Sequence, residues 1–255
     1  MVEREATMRG EIDTIIFDLG GTLYKPLDQL VNIARKHLIE AGIHECEMIT
    51  NEEMERALDW QRNDFLIKYM LEHDVDPYWE PTRELWIQYD RILLENLCID
   101  GDLDTLAEAY QSKWDEYIPT AKPELVDGCK EGLEYLHAQG YKLGIASNRF
   151  GDPRSYLVAD GILELFGAIE YTSVPGYAKP SPYMLLAVAK DLGSNPLRCT
   201  YVGNLVSDDV IAAQRASMLP VLITWCDPEQ RALAPDGTII IEHIDELEEK
   251  LKQAT

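Results

Sequence analysis

A carboxylate, two glycines and a hydroxyl close the apolar run of IDTIIFDLGGTLYKP, residues 12–26. Asp18 is a candidate nucleophile, because a carboxylate can attack an electrophilic centre and split a hard displacement into two easier ones through a covalent intermediate. Gly20 and Gly21 let the backbone turn sharply and bring main-chain N–H groups close to a phosphate, and Thr22 could orient Asp18. Three other stretches carry matching chemistry. Ser147 and the amide of Asn148 could bind phosphoryl oxygens, and Lys179 would offset negative charge developing on a transferred group. Asp208 or Asp209 could hold Mg²⁺, a hard cation that prefers oxygen ligands. Alone, each residue has an ordinary reading: Asp18 and Ser147-Asn148 as turn formers, Lys179 as a surface lysine, Asp208-Asp209 as acids at a helix start, where the dipole favours them. Joint placement at strand ends shifts the balance toward chemistry.

The elements that must do the placing follow from periodicity. Residues 12–18 read as a short buried strand. From about 27 to 118 the signal is helical: Leu27, Leu30, Val31, Ala34 and Leu38; then Trp86, Tyr89, Leu93 and Leu97; then Leu103 through Tyr117. Thr50-x-x-Glu53 resembles a capping box for a helix from about 51 to 72. After Pro119 and Pro123 helices and strands alternate, with strands at YKLGIAS, AIEYTS, CTYVGN and LPVLITW. That pattern predicts an α/β fold, a Rossmann-like doubly wound parallel sheet with an inserted all-helical domain, which binds ligands at the carboxyl ends of its strands. The expected division is 1–24 and 119–255 for the core and 25–118 for the insert. Arg149, just after the second strand, is the cation best placed to contact a substrate. The aromatics of residues 55–118 read first as packing.

Net charge is −23, which disfavours nucleic acid and anionic membranes as partners. An anionic ligand would then need local cations. Five scattered cysteines without a Cys-x-x-Cys spacing argue against a disulfide framework or zinc site and for a reducing, cytoplasmic setting. The charged N-terminus has no apolar core, so no secretory signal is expected, and no apolar run is long enough to span a membrane. The histidines show no metal-ligand spacing, and none receives a role.

Taken together, Asp18-Leu-Gly-Gly-Thr22-Leu, Ser147, Lys179-Pro180-Ser-Pro182 and VGNLVSDDVIAAQRASM resemble, in order and spacing, the four motifs of the haloacid dehalogenase-like (HAD) superfamily. The insert resembles its C1-type helical cap, which closes over the site and selects the leaving group of a small substrate. The resemblance implies a Mg²⁺-dependent phosphatase acting through an aspartyl-phosphate on Asp18, the metal taking an Asp18 oxygen, the Gly20 carbonyl and the acids of the fourth motif. Two departures stand out. The family's second aspartate, a general acid–base worth about 10²–10⁴-fold, is Gly20 here. Either another group supplies that function, or the leaving group needs little help, or the reaction is slow or different. The first acid of the fourth motif is Asn204, which keeps an oxygen for a metal but no charge. The expected partner is a small phosphorylated metabolite, with the chain a monomer or homodimer. The alternatives are a non-catalytic phospholigand-binding protein and a 2-haloacid dehalogenase-type hydrolase.

Overall fold

The computed structural model describes residues 11–26 and 30–254. In chain order, β1 (Thr14–Phe17) precedes α1 (Leu30–Glu40), α2 (Asn51–Trp60), a π-helical stretch (Gln61–Ile67), α3 (Lys68–Glu72), α4 (Arg83–Asn96) and α5 (Leu103–Tyr117). Then follow α6 (Cys129–Ala138), β2 (Lys142–Ser147), α7 (Arg154–Ala159), β3 (Phe166–Tyr171), α8 (Tyr183–Asp191), β4 (Cys199–Gly203), α9 (Ile211–Arg215), β5 (Leu219–Ile223), β6 (Ile239–Ile241) and α10 (Leu247–Ala254). The chain divides into two compact units, Met1–Lys25 with Glu124–Thr255, and Pro26–Pro123. Leu27, the first residue of the helix expected from periodicity, lies outside the described residues. No described helix is long and apolar enough to cross a membrane.

The first unit is built on a six-stranded sheet in the order β3-β2-β1-β4-β5-β6, with every neighbouring pair parallel. A parallel sheet is covered on both faces, which is why β1 reads as an unbroken apolar run. All four of its residues are buried. Ile15 and Phe17 pack with Leu133, Leu136 and Leu251 on one face; Ile16 packs with Met184, Leu185 and Ala212 on the other. The chain order reverses direction between β1 and β4, so the carboxyl ends of these two strands form the switch point where such sheets open a crevice. The sixth strand, β6, and α10 were not anticipated: three isoleucines followed by an acidic amphipathic run gave no turn signal separating strand from helix.

The regular elements of the second unit are all helical among its described residues. The capping box at Thr50 forms both its bonds, Glu53 N to Thr50 Oγ1 at 3.2 Å and Thr50 N to Glu53 Oε2 at 2.9 Å. The helix expected over 51–72 is interrupted by its π-helical stretch, which periodicity alone does not distinguish. Val31, Leu38, Met54, Leu93, Leu94 and Tyr110 form its core. His37 is buried with its ring edge-on to Trp114 and Tyr117, at centroid distances of 4.6 and 5.1 Å.

Asp90 on α4 is the anomaly of this unit. It is buried and its Oδ2 finds no hydrogen-bond partner among the described residues. Burial, reinforced by the Asp115 carboxylate, pushes its carboxyl up to about 8 from the ordinary 3.8. A folded-state value above the unfolded one means the folded chain holds this proton longer. The stability it contributes is complete below about pH 4 and is lost as pH rises to about 8, at roughly 1.4 kcal/mol per pH unit. Asp90→Asn is expected to flatten that slope. Urea unfolding of both proteins at about pH 5 and about pH 8 checks it; parallel pH dependence in the two is the contrary result.

Candidate active site

The site is assembled where β1 and β4 end. Asp18 continues the β1 ladder by one bond, its N–H donating to Val202 O at 2.9 Å, and its residue is 7% exposed. The chain then turns tightly on Leu19, whose carbonyl accepts from the N–H groups of Thr22, Leu23 and Tyr24 at 3.2, 2.9 and 2.8 Å. Gly21 makes the turn with φ +72°, a left-handed conformation that glycine adopts without a Cβ penalty. Its N–H donates to Tyr24 O at 2.8 Å, so this donor serves the turn rather than an incoming phosphate. The turn's own bonds do not use the N–H groups of Leu19 and Gly20.

Lys179 ties the site together. Its buried ammonium donates to Asp18 Oδ1 at 2.8 Å, to Asp209 Oδ1 at 2.7 Å and to Tyr201 Oη at 2.8 Å. An ammonium has three N–H donors, and all three are committed. Burial works against this charge, but Asp18 and Asp209 outweigh it and hold the Lys179 pKa above the ordinary lysine value. Asn148 fixes the backbone beneath: Lys179 N donates to Asn148 Oδ1 at 2.7 Å, and Asn148 Nδ2 donates to Lys179 O at 3.0 Å. Its side-chain amide therefore serves as a clamp on the lysine loop.

Asp18 sits between opposing influences. Burial, the largest, raises its pKa; Lys179 lowers it, Asp209 raises it, and a hydrogen bond with the buried Ser147 side chain lowers it, leaving the net direction upward. The cluster of Asp18, Asp209 and Lys179 holds two formal negative charges against one positive.

The fourth motif enters through a π-helical turn, Val206–Val210, following β4. Such turns add a residue per turn and re-aim side chains. Asp209 is 2% exposed and reaches Lys179, while Asp208 beside it is only half-buried; of the two acids, Asp209 is the one that joins Asp18. Asp209 Oδ2 also accepts from Leu205 N at 2.8 Å. Gly203 makes room for this carboxylate, since a Cβ there would lie 2.3 Å from Asp209 Cγ. Gly203→Ala must displace either the strand end or the acid, and is expected to lower stability by about 1–3 kcal/mol. Urea unfolding measures it, an unchanged midpoint being the contrary result.

Three sequence-predicted residues have partners other than those expected. Thr22 Oγ1 approaches Asn204 Oδ1 at 3.4 Å, not Asp18, and Asn204 itself packs over Gly21, where a Cβ would stand 2.5 Å from its Nδ2. Arg149 is turned onto its own loop: Nε donates to Gly151 O at 2.9 Å, one terminal nitrogen donates to the Tyr156 hydroxyl, and the guanidinium lies 5.0 Å from that ring's centroid. Gly20 does not resemble the other turn glycine. It has no left-handed φ, and a Cβ there would meet nothing within 4 Å.

Tyr201 was missed by sequence reasoning. It is fully buried on β4, accepts from Lys179, and donates to Ala146 O on β2 at 2.7 Å. Burial pushes its phenol well above the ordinary value, with Asp209 and Asp18 adding to the effect. The available signal was a tyrosine inside an otherwise apolar strand, since a buried phenol needs a partner.

Among the described residues no three His, Cys, Asp or Glu side chains gather as a metal cluster. The donor set is nonetheless suited to Mg²⁺, which binds through one or two carboxylates plus substrate phosphate oxygens. Asp18 and Asp209 offer the carboxylates, Asn204 a neutral amide oxygen, and the uncompensated negative charge of the cluster favours a cation.

Residues 12–217 match the family model of haloacid dehalogenase-like hydrolases. The chain is 30% identical over 128 residues to a probable phosphatase, IndB, of Dickeya dadantii, covering 49% of this chain and about half, 55%, of that protein. It is 26% identical over 220 residues to a glyceraldehyde 3-phosphate phosphatase of Methanopyrus kandleri, covering 83% and 84% of the two chains. Among solved structures, a 2-haloacid dehalogenase from Pseudomonas syringae superposes with TM-score 0.65 at 18% identity, covering 96% of this chain and 100% of that one. A predicted phosphoglycolate phosphatase from Haemophilus somnus gives 0.63 at 19%, covering 93% and 97%. At such identities these structures speak for a shared fold alone. With the family model spanning residues 12–217, which carry β1 to β4 and all four strand-end motifs, the chain belongs to the haloacid dehalogenase-like hydrolases.

Proposed function

We propose that this chain is a Mg²⁺-dependent phosphatase of a small phosphorylated metabolite, working through an aspartyl-phosphate on Asp18. The observation that carries the reading is the buried Asp18–Lys179–Asp209 arrangement at the switch point of the sheet, with Lys179 at 2.8 and 2.7 Å from the two carboxylates. Phosphatase names among the relatives support the same class.

In this reading Lys179 holds one oxygen of Asp18, which leaves the other to attack phosphorus. The N–H groups of Leu19 and Gly20 donate to phosphoryl oxygens, joined by the Ser147 hydroxyl as it turns from Asp18 to the substrate. With its three hydrogens committed, Lys179 acts by charge and by aligning Asp18 rather than as a direct donor to the substrate. Asp18, the Gly20 carbonyl, Asn204 and Asp209 would hold Mg²⁺, which, when bound, offsets phosphate charge beside a carboxylate pair. Asp208 stands outside this set. The helical insert is read as the C1-type cap, and the free thiols suit a cytoplasmic setting.

A second reading, phospholigand binding without turnover, is favoured by the absence of a side chain at Gly20. Purified protein with Mg²⁺ and a broad panel of phosphate esters and anhydrides separates the two. Phosphate release that EDTA suppresses supports the first. Ligand-dependent thermal stabilisation with no release over hours supports the second and overturns the first.

A further inference from the structure

We infer that the substrate's leaving group departs as a stable anion, without being protonated, so that the class taken is phosphate on an acidic oxygen: an acyl phosphate, an enol or phenyl phosphate, or a phosphoanhydride, rather than an alkyl ester. This rests on the phosphatase reading above and narrows it.

A poor leaving group such as an alkoxide needs a positioned acid as its bond to phosphorus breaks. Position 20 has none, and the glycine there is not demanded by the backbone, since its φ is not left-handed and a Cβ would meet no atom within 4 Å. Gly20 is exposed, and among the described residues no side chain stands within 4 Å of where its Cβ would lie. Among the described residues around Asp18, the Tyr156 hydroxyl accepts from Arg149 and burial pushes its phenol up to about 12, too weak an acid for this role, and the other donors are engaged. The three hydrogens of Lys179 go to Asp18, Asp209 and Tyr201. The Tyr201 hydroxyl donates to Ala146 O at 2.7 Å, deep in the sheet. Thr22 turns to Asn204, and Ser147 to Asp18. Both oxygens of Asp209 accept, one from Lys179 and one from Leu205 N.

The chemistry then balances without an acid. Asp18 forms a bond to phosphorus while the bond to the leaving oxygen breaks, and that oxygen keeps the electron pair and leaves as an anion. In the second step water attacks phosphorus, the pair of the broken bond returns to the Asp18 carboxylate, and the water's proton passes to the released phosphate or to solvent. With no base at position 20 the second step is slow, so a good leaving group appears in a burst.

The test is a series of aryl phosphates, leaving-group pKa from about 5 to about 10, together with an alkyl phosphate, assayed with wild type and Mg²⁺. The expected result is that kcat/KM falls about tenfold per unit rise in leaving-group pKa. Gly20→Asp, filling the open space with an acid, is expected to flatten that dependence and raise kcat/KM on the alkyl ester by about 10²-fold. A shallow dependence in wild type, with the alkyl ester within about tenfold of the aryl ones, overturns the inference by revealing a proton donor from elsewhere. The wild-type slope decides the matter even where the variant does not fold. Phosphate release from none of the series, nor from acetyl phosphate, overturns the phosphatase reading itself and this inference with it.

Discussion

Asp18→Asn is expected to abolish phosphate release, by on the order of 10⁴-fold or more, while leaving the protein as stable as before or more so. The two halves of that expectation have one cause. The amide is nearly the shape of the carboxylate and its oxygen can still accept from Lys179, but it is a poor nucleophile and carries no charge. Wild type buries Asp18 and Asp209 against the single ammonium of Lys179, and the neutral amide brings that cluster into balance. Burial and Asp209 both press the Asp18 carboxyl toward its neutral form, so removing the charge relieves a cost that the folded state carries for function. Phosphate-release kinetics and a thermal melt on the same preparation measure both. A variant that is inactive only because it is unfolded does not meet the expectation.

Lys179→Met acts in the opposite sense. It keeps a long apolar stem but removes the cation from between two buried carboxylates. Breaking a buried pair by deleting one partner typically costs about 3–5 kcal/mol, because the remaining charge is left uncompensated. For a chain of this size that corresponds to a fall in Tm on the order of 10 °C. Tyr201 also loses the donor to its hydroxyl. Adding Asp209→Asn should return part of the loss, since it removes one of the two facing charges, and the size of the recovery is the coupling between the positions. Equal Tm values for wild type and Lys179→Met would show that the ammonium is not what holds the carboxylates together.

Much of this architecture was legible in the chain because a doubly wound sheet writes its strands as short apolar runs and its ligand site as the polar residues that end them. Asp18, Ser147, Lys179 and the Asp208-Asp209 pair are all read from the chain in that way, as polar residues at or just after strand ends. What was not legible depends on register between distant segments. Tyr201 is opposite Ile16 in the sheet and reaches the Ala146 carbonyl on β2, a relation set by strand pairing across the fold. That Asp209 is the acid bonded to Lys179 depends on a π-helical turn whose single added residue has no compositional mark. Thr22 and Arg149 found partners closer to hand than an anticipated ligand, one in Asn204 and the other in its own loop. Asp90, buried without a partner for one oxygen, follows helical spacing among apolar neighbours, so its polarity alone could not tell a buried position from a surface one.

In this mechanism the Asp18 carboxylate itself receives the phosphoryl group. Acid quenching of the protein during turnover with acetyl phosphate, followed by borohydride reduction and peptide mass analysis, reads that directly. An acyl phosphate at Asp18 is reduced to homoserine, so the account predicts homoserine at residue 18 in wild type and none in Asp18→Asn. Steady phosphate release with residue 18 recovered only as unmodified aspartate would contradict it.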